Sequence, residues 1–483
     1  MTVLHSATDS NCTTAALGVT VRIGVFFDGT GNNRINSQIG ADCQAMAEIY
    51  NGAHIKECGG RHLDPNSSYS NDLTNIARLA DLYRDLPVAR NEGHGLKVYQ
   101  AVYISGIGTT SGGRDSRVSG QGFGRGRSGV VAKVSKCIKK INDVLSRFRI
   151  HNPDCVIGAL EFDVFGFSRG AAAARHLANE VLKQSRGEFN ILLRKGHLPL
   201  APGFSWTANS VRLKVIGLFD TVAAIGSISD LGNVRDSINS RVNLFLPPGC
   251  AQQVLHLVAA DEHRRNFALN RVAPDWPREI ILPGSHSDIG GGYQPQSMEA
   301  VSLTRPRRCV VSLNTPYDAT DAWRQTHAEM DTLDVQRWLD PQDDSASVGI
   351  ECFERVSGPG MKSVVASVRL ERRVFGHLSR IYLRVMHGLA CDEGVPFQPV
   401  PDTADLSLPP ELRGVAVKLL AYARGQGAGL SDDELRMLYH RYIHCSAHWN
   451  ASIGRRGALF HSLFLHAPAV GGRQGFLNPG QPA

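Results

Sequence analysis

The strand-to-helix junction around Ser168 constrains the fold more than any other segment. Residues 162–165 read Phe-Asp-Val-Phe, residues 166–170 read Gly-Phe-Ser-Arg-Gly, and four alanines follow. The first group is typical of a buried strand and the alanines of a helix start. A reversal this sharp leaves no room for side chains two residues either side of the serine, which explains Gly166 and Gly170. The segment therefore predicts a serine held on a tight strand-to-helix turn, although Asp163 and Glu161 interrupt an otherwise apolar strand.

Strands and helices alternate over the first 300 residues. Further strands are predicted at 19–27, 96–104, 213–219 and 279–284, with helices at 72–86 and 130–148. This alternation predicts an α/β fold with a mostly parallel sheet and helices on both faces.

Beyond about residue 305 the strand pattern fades. Helices are predicted at 322–339, 378–390, 411–423 and 432–444. We therefore predict a flexible tail over 1–19, an α/β catalytic core with insertions over 20–304, and a mainly helical region over 305–483. That last region is expected to cap the core or contact a membrane.

Composition excludes several classes of protein. Hydrophobic residues are 42% and charged residues 20%, which excludes a disordered chain, and the net charge of +7 suits an anionic surface without requiring nucleic acid. No apolar stretch is long enough for a transmembrane helix, and no signal peptide is visible at the start. The ten cysteines lack paired motifs and are expected to be reduced thiols from synthesis in a cytoplasm.

A nucleophilic serine requires a base and a carboxylate that orients the base. Asp220 follows the predicted strand at 213–219, and His286 follows the strand at 279–284. This chain order, serine then acid then histidine, is the order of α/β hydrolases. The competing interpretations are a helix N-cap for Asp220 and a loop histidine without chemistry for His286. Asp288 is too near His286 in sequence to serve as the acid, and is expected to orient the loop or bind a cation.

An oxyanion hole is predicted from two backbone amides. One belongs to Arg169, the residue after the serine. The other is expected from Gly29 or Thr30, in a glycine-rich loop that follows the first strand, with Asp28 fixing that loop. A simple turn is the alternative for this loop.

Three competing chemistries are weaker. The segment Phe27–Thr30 is similar to the nucleophile motif of haloacid-dehalogenase-type phosphatases, but Phe26 occupies the nucleophile position. Residues 124–129 match Gly-x-Gly-x-x-Gly without a convincing preceding strand. No metalloprotease or Cys/His cluster motif is present, so no cofactor is predicted, while an activating Ca²⁺ is left open.

Six motifs together resemble the type VI secretion lipase effectors of the first Tle family. They lie in order at 27–32, 106–109, 166–171, 219–222, 261–267 and 286–293. The resemblance implies an α/β-hydrolase fold and assigns nucleophile, acid and base to Ser168, Asp220 and His286. It also implies phospholipase A activity against membrane phospholipids of competing bacteria, from the periplasmic side. Export by type VI secretion without a signal peptide, a spike or adaptor protein as carrier, and a cognate immunity protein are implied as well.

The sequence thus predicts a serine hydrolase that cleaves acyl esters of glycerophospholipids. A carboxylesterase acting on small acyl esters is the alternative of the same class. A catalytically inactive module that binds membranes or acts as an adaptor is the alternative of a different class.

Overall fold

The computed structural model describes residues 16–50, 67–113, 115, 129–195, 198–207, 209–223, 242–451 and 464–478. The predicted tail lies outside these residues up to position 15. The Gly-x-Gly-x-x-Gly run at 124–129 also lies outside them, apart from Gly129.

A seven-stranded sheet forms the centre of the described structure. Its strands are β1 (Leu17–Phe27), β2 (Leu86–Asn91), β3 (Leu96–Ile104), β4 (Cys155–Phe167), β5 (Val211–Phe219), β6 (Gln253–Ala259) and β8 (Glu279–Leu282). Their spatial order is β2-β3-β1-β4-β5-β6-β8. All neighbouring pairs are parallel except β2 with β3. The predicted mostly parallel sheet is confirmed, and the carboxyl ends of its parallel strands share one edge.

Helices cover both faces of this sheet. The α-helices of the described residues are α1 (Arg34–Tyr50), α2 (Asn75–Leu82), α3 (Val130–Ser146), α4 (Phe148–His151), α5 (Arg169–Leu182), α6 (Glu188–Lys195), α7 (His286–Gly290), α8 (Asp321–Met330), α9 (Leu378–Asp392), α10 (Pro410–Ala423) and α11 (Asp432–Arg441). One hydrophobic core lies between the sheet, α3 and α5. A second core lies on the other face, beneath α2, α9 and α10.

The C-terminal region contains the predicted helices and also strands that were not predicted. The helices correspond to α8, α9, α10 and α11, although α8 ends at Met330 and a short 3₁₀ turn follows at Val335–Trp338. An antiparallel sheet is formed by β9 (Ser297–Ser302), β10 (Arg307–Ser312), β11 (Ser347–Gly358) and β12 (Met361–Val374). The expectation that strands fade beyond 305 is therefore wrong for this sheet. Two short strands, β7 (Leu269–Asn270) and β13 (Gly475–Phe476), pair in parallel.

The carboxylate in the middle of β4 has a structural explanation. Asp163 is fully buried and accepts two hydrogen bonds from the guanidinium of Arg22 on β1, at 2.8 and 2.9 Å. Its Oδ2 also accepts a hydrogen bond from the hydroxyl of Tyr83 at 2.8 Å. A buried charge is tolerated when it is paired and hydrogen-bonded, so Asp163 ties β4 to β1.

Two further properties of the described residues concern their cysteines and the character of their helices. Seven described cysteines are free thiols, whereas Cys43 is disulfide-bonded, so the expectation of uniformly reduced cysteines is wrong at that position. No helix among the described residues has the length and apolar character needed to cross a membrane.

The glycines around the serine are required by close contacts between backbones. A Cβ on Gly170 would lie 2.3 Å from the carbonyl oxygen of Phe27 and 2.4 Å from that of Asp28. A Cβ on Gly166 would lie 2.4 Å from the carbonyl oxygen of Gly170. The start of α5 therefore packs directly on the loop that follows β1.

We expect Gly170→Ala to lower the free energy of unfolding by about 1–3 kcal/mol, because the added methyl group meets backbone that cannot yield. Gly414→Ala is the matched control, since Gly414 is an exposed residue of α10 with nothing within 4 Å of an added Cβ. That variant should be stabilised by roughly 0.5–1 kcal/mol through helix propensity. Urea unfolding of both variants checks this, and equal stability of the two would contradict the packing argument.

Candidate active site

Ser168 lies in a strained turn between β4 and α5. Its backbone has φ 58° and ψ −126°, and α5 begins at the next residue. A positive φ in a non-glycine residue costs about 1–3 kcal/mol and is common at functional sites. Here the amide of Ser168 donates to the carbonyl of Phe219 at 3.0 Å, which links the turn to the end of β5. The sequence-predicted turn is present, with the serine at the carboxyl end of a central strand.

Asp220 and His286 form a direct hydrogen bond although they lie 66 residues apart. Nδ1 of His286 is 2.5 Å from Oδ2 of Asp220. Asp220 follows β5 with a positive φ of 41°, and His286 begins α7 shortly after β8. Because β4, β5 and β8 are parallel, their carboxyl ends bring all three sequence-predicted residues to one edge of the sheet.

Two aromatic rings hold the imidazole of His286. The ring of Phe167, the residue before Ser168, has its centroid 4.6 Å from that of His286. The ring of Phe267 meets it edge-on at 4.9 Å. His286 is therefore a neighbour of the serine turn, and its side chain is buried.

Charges around the pair keep it in the ionisation state that a base requires. Burial opposes ionisation of Asp220, but the guanidinium of Arg473 and the hydrogen bond from His286 hold the pKa of Asp220 well below its usual range. Burial lowers the pKa of His286 from its ordinary 6.5, an effect that the hydrogen bond and charge of Asp220 partly offset. A buried carboxylate facing a neutral imidazole is the arrangement of a general base.

Asp28 is hydrogen-bonded within and around the loop after β1. Its side chain is buried and accepts hydrogen bonds from the hydroxyls of Thr74 and Tyr103, at 2.6 and 2.5 Å. It also accepts the amide of Gly29 at 2.7 Å. Because that amide already has an acceptor, Gly29 is less available than Thr30 as an oxyanion donor, and the pairing of Arg169 with Gly29 or Thr30 stays a prediction. Gly29 is required instead by packing, since its Cβ would lie 2.4 Å from the ring of Phe167.

Asp288 orients the loop and does not pair with the base. Its Oδ2 accepts the amide and hydroxyl of Ser285 at 2.9 and 2.8 Å, which caps α7. Its Oδ1 pairs with Nδ1 of His444 at 2.7 Å. This second Asp–His pair ties the start of α7 to the C-terminal region.

Glu262, to which the sequence assigned no role, contacts the backbone of His286. Its fully buried carboxylate accepts the amide of His286 at 3.3 Å and pairs with Arg264 at 2.7 Å. Burial opposes its ionisation, but Arg264 lowers its pKa to about 2. Glu262 belongs to the 261–267 motif, so the signal was available in the sequence although no role was assigned to it.

Sequence analysis also missed Arg473, which contacts the predicted acid. Its two terminal nitrogens lie 2.8 and 2.7 Å from the two oxygens of Asp220. No local motif marks this arginine. Among the described residues there is no group of three or more His, Cys, Asp or Glu side chains placed to hold a metal ion.

Comparisons with known proteins show a family and a fold for this chain. The family model described as the type VI secretion system Tle1-like phospholipase effector, catalytic domain, matches residues 204–307. A solved structure of the Tle1 effector bound to the VgrG spike of the type VI secretion system is similar over nearly the whole length. It is 30% identical, covers 99% of this chain and 98% of that chain, and has a TM-score of 0.72. The fold is that of an α/β hydrolase with a helical C-terminal region, as predicted.

Two other comparisons give no information on the function of this chain. A crystal structure of an uncharacterized protein from Pseudomonas aeruginosa is 18% identical, covers 86% of this chain and 52% of that one, and has a TM-score of only 0.37. Among curated proteins no match was found.

We expect the imidazole of His286 to titrate below pH 6.5 in the folded protein, because its burial disfavours the charged form. Asp220→Asn should lower this pKa further, since the carboxylate stabilises the imidazolium. NMR titration measures both, with His286→Gln identifying the resonance. Asp288→Asn is the matched control and should leave the pKa of His286 nearly unchanged, because Asp288 pairs with His444. A wild-type value at or above 6.5 would contradict the burial argument.

Proposed function

The chain belongs to the Tle1-like family of type VI secretion phospholipase effectors, and we propose that it hydrolyses acyl ester bonds of glycerophospholipids as a phospholipase A with a Ser168–Asp220–His286 triad. Membership of the family supports a hydrolase of phospholipids. The proposal goes further in two respects: it assigns roles to the three residues, and it names the acyl ester as the bond that is cleaved.

In the proposed mechanism Ser168 attacks the carbonyl carbon of the acyl ester. Nε2 of His286 accepts the serine proton, and Asp220 stabilises the imidazolium that results. The backbone amides of Arg169 and Thr30 donate to the oxyanion of the tetrahedral intermediate, aided by the positive end of α5. His286 then protonates the departing lysophospholipid oxygen, and water releases the fatty acid from the acyl-enzyme by the same steps.

The observation that carries the proposal is the 2.5 Å contact between His286 and Asp220 beside the serine turn. A buried Asp–His pair alone does not indicate a triad, since Asp288 and His444 form another one. The pair of His286 and Asp220 differs in lying beside the serine turn, where β5 and β8 end. The ring contact between Phe167 and His286 adds that the base lies next to the residue that precedes the serine.

We expect Ser168→Ala to reduce phospholipid hydrolysis by several orders of magnitude, since a triad acts as a unit. Ser146→Ala is the matched control, because Ser146 is an exposed serine on α3 whose hydroxyl bonds only its own helix. A fluorophosphonate probe should label the wild type and the control but not the Ser168 variant. Hydrolysis by Ser168→Ala at the wild-type rate would remove the proposed mechanism.

The substrate is tested with phospholipids that carry different sn-1 and sn-2 chains, with mass spectrometry of the products. Release of one fatty acid and one lysophospholipid supports a phospholipase A. Turnover of short-chain nitrophenyl esters without turnover of micellar phospholipid would favour the small-ester carboxylesterase.

The same proposal includes delivery. The related Tle1 effector has been solved bound to the VgrG spike, and this chain is similar to it over nearly its full length. We therefore propose a spike of this type as carrier, action at the phospholipids of the target cell's periplasmic side, and a cognate immunity protein in the producing cell.

We expect the purified chain to form a stable complex with the VgrG spike protein encoded by the same organism, measured by size-exclusion chromatography with light scattering. Ser168→Ala should bind equally well, because docking to a carrier does not use the nucleophile. Absence of a complex with any spike of that organism would remove the proposed carrier. Growth arrest on periplasmic expression of the wild type, but not of Ser168→Ala, tests the site of action separately.

A further inference from the structure

The last described segment of the chain lies along the residues that lead to the active site. We name residues 467–478 the C-terminal strap. Its carbonyl at Ala467 accepts the amide of Arg265 at 3.0 Å, and its amide at Ala469 donates to His263 at 2.8 Å. Further along, β13 pairs with β7. The strap therefore runs beside residues 263–270. This segment includes Phe267, whose ring contacts that of His286.

Arg473 is the strap residue that reaches the predicted acid. Its side chain is only 10% exposed, and Asp220 is fully buried. Nη1 donates to Oδ1 of Asp220 at 2.8 Å, and Nη2 donates to Oδ2 at 2.7 Å. Nε donates to the carbonyl of Phe267 at 2.7 Å, so each of the three guanidinium nitrogens donates a hydrogen bond.

We propose that Arg473 is a positioning residue of the catalytic site, which holds the Asp220 carboxylate in the plane and ionisation state that His286 needs. This inference rests on the proposed function, because it assigns Asp220 to the triad. Arg473 acts through Asp220 and does not touch the substrate.

The hydrogen bonds of Asp220 explain how the carboxylate is locked. Oδ2 accepts from both His286 and Arg473, while Oδ1 accepts from Arg473 and from the amide of Ala259 at 3.1 Å. A planar guanidinium that bonds both oxygens of a carboxylate sets its orientation as well as its charge. Rotation of the carboxylate away from His286 would break both bonds to Arg473.

The strap has a separate anchor, so Arg473 is not needed simply to dock it. The side chain of Asn478 is buried and donates to the carbonyl of Leu246 at 3.0 Å and to Asp275 at 2.6 Å. Its Oδ1 accepts from Arg175 at 2.9 Å. Loss of Asn478 therefore loosens the strap without removing a contact to Asp220, which makes it the matched control.

The charges around the base set the direction of a pH effect. Burial lowers the pKa of His286 most, Asp220 and Glu262 raise it, and Arg264 lowers it. Arg473 lies on the far side of Asp220 and partly neutralises that carboxylate. Removal of this positive charge should raise the pKa of His286, because the imidazolium then faces a less compensated anion. The acid limb of kcat/KM should accordingly move to higher pH.

The experiment compares Arg473→Met, Arg473→Lys and Asn478→Ala with the wild type in the full chain. Measurements are kcat/KM against pH on phospholipid, the rate of fluorophosphonate labelling at Ser168, and the melting temperature. We expect Arg473→Met to lower kcat/KM about 10–100-fold. This is the loss that typically follows when the hydrogen-bonding partner of a metal-ligating histidine is removed. Its acid limb should shift upward. Arg473→Lys should restore the acid limb but only part of the rate, because an ammonium cannot bond both oxygens in a fixed plane.

Asn478→Ala should lower the melting temperature while keeping the wild-type pH profile. The inference is overturned if Arg473→Met keeps the wild-type rate and pH profile, or if Asn478→Ala reproduces its rate loss and its pH shift. If Arg473→Met does not fold, Arg473→Lys decides, since a wild-type rate in that variant excludes a role for the bidentate contact. A wild type that is not labelled at Ser168 removes the proposed function itself, whereas labelled wild type with unaffected Arg473 variants removes only this inference.

Discussion

The carboxylate of Asp220 is the point where distant parts of the chain depend on one another. It is fully buried, and removing a carboxylate from water costs several kcal/mol unless hydrogen bonds and a countercharge replace the solvent. Three groups replace the solvent: the amide of Ala259, the last residue of β6, the imidazole of His286, and the guanidinium of Arg473. Since Arg473 supplies the countercharge while Ala259 and His286 supply further hydrogen bonds, the sheet edge, the loop of His286 and the C-terminal strap stabilise one another.

The sequence was sufficient to predict the place in the fold of residues that a local pattern marks. Ser168, Asp220 and His286 each follow an apolar run that ends in a polar or glycine-rich turn, and parallel strands must bring such turns to one edge. Arg473 and His444 carry no such signal. Their partners Asp220 and Asp288 are 253 and 156 residues away, and their neighbouring residues are those of an ordinary loop. Only the three-dimensional path of the chain brings them to the site.

Helices and strands were predictable where the spacing of apolar residues was regular, because that is also a local signal. They were not predictable where this spacing was irregular. Apolar spacing predicted α9, whose buried face includes Ile381, Leu383 and Met386. The hairpin of β11 and β12 was missed because β11 is half-exposed along most of its length and lacks a clear alternation. The apolar run in β12 is short and flanked by charges, a pattern that does not distinguish a strand from a buried helix segment.

The C-terminal region is better understood as a support for the base than as a detached cap. The helix that begins with His286 has only five residues, and its last residue, Gly290, is the first of three consecutive glycines, so the helix cannot hold a side chain rigidly by itself. Its flanking segments are bound from outside. The hydroxyl of Tyr382 donates to the carbonyl of Pro283, and that of Tyr439 donates to Asp261 at 2.5 Å. Ser446 donates to Glu262 at 3.2 Å, beneath the amide of His286. Because these contacts surround a short glycine-rich element, the position of the imidazole depends on packing contributed from beyond residue 305.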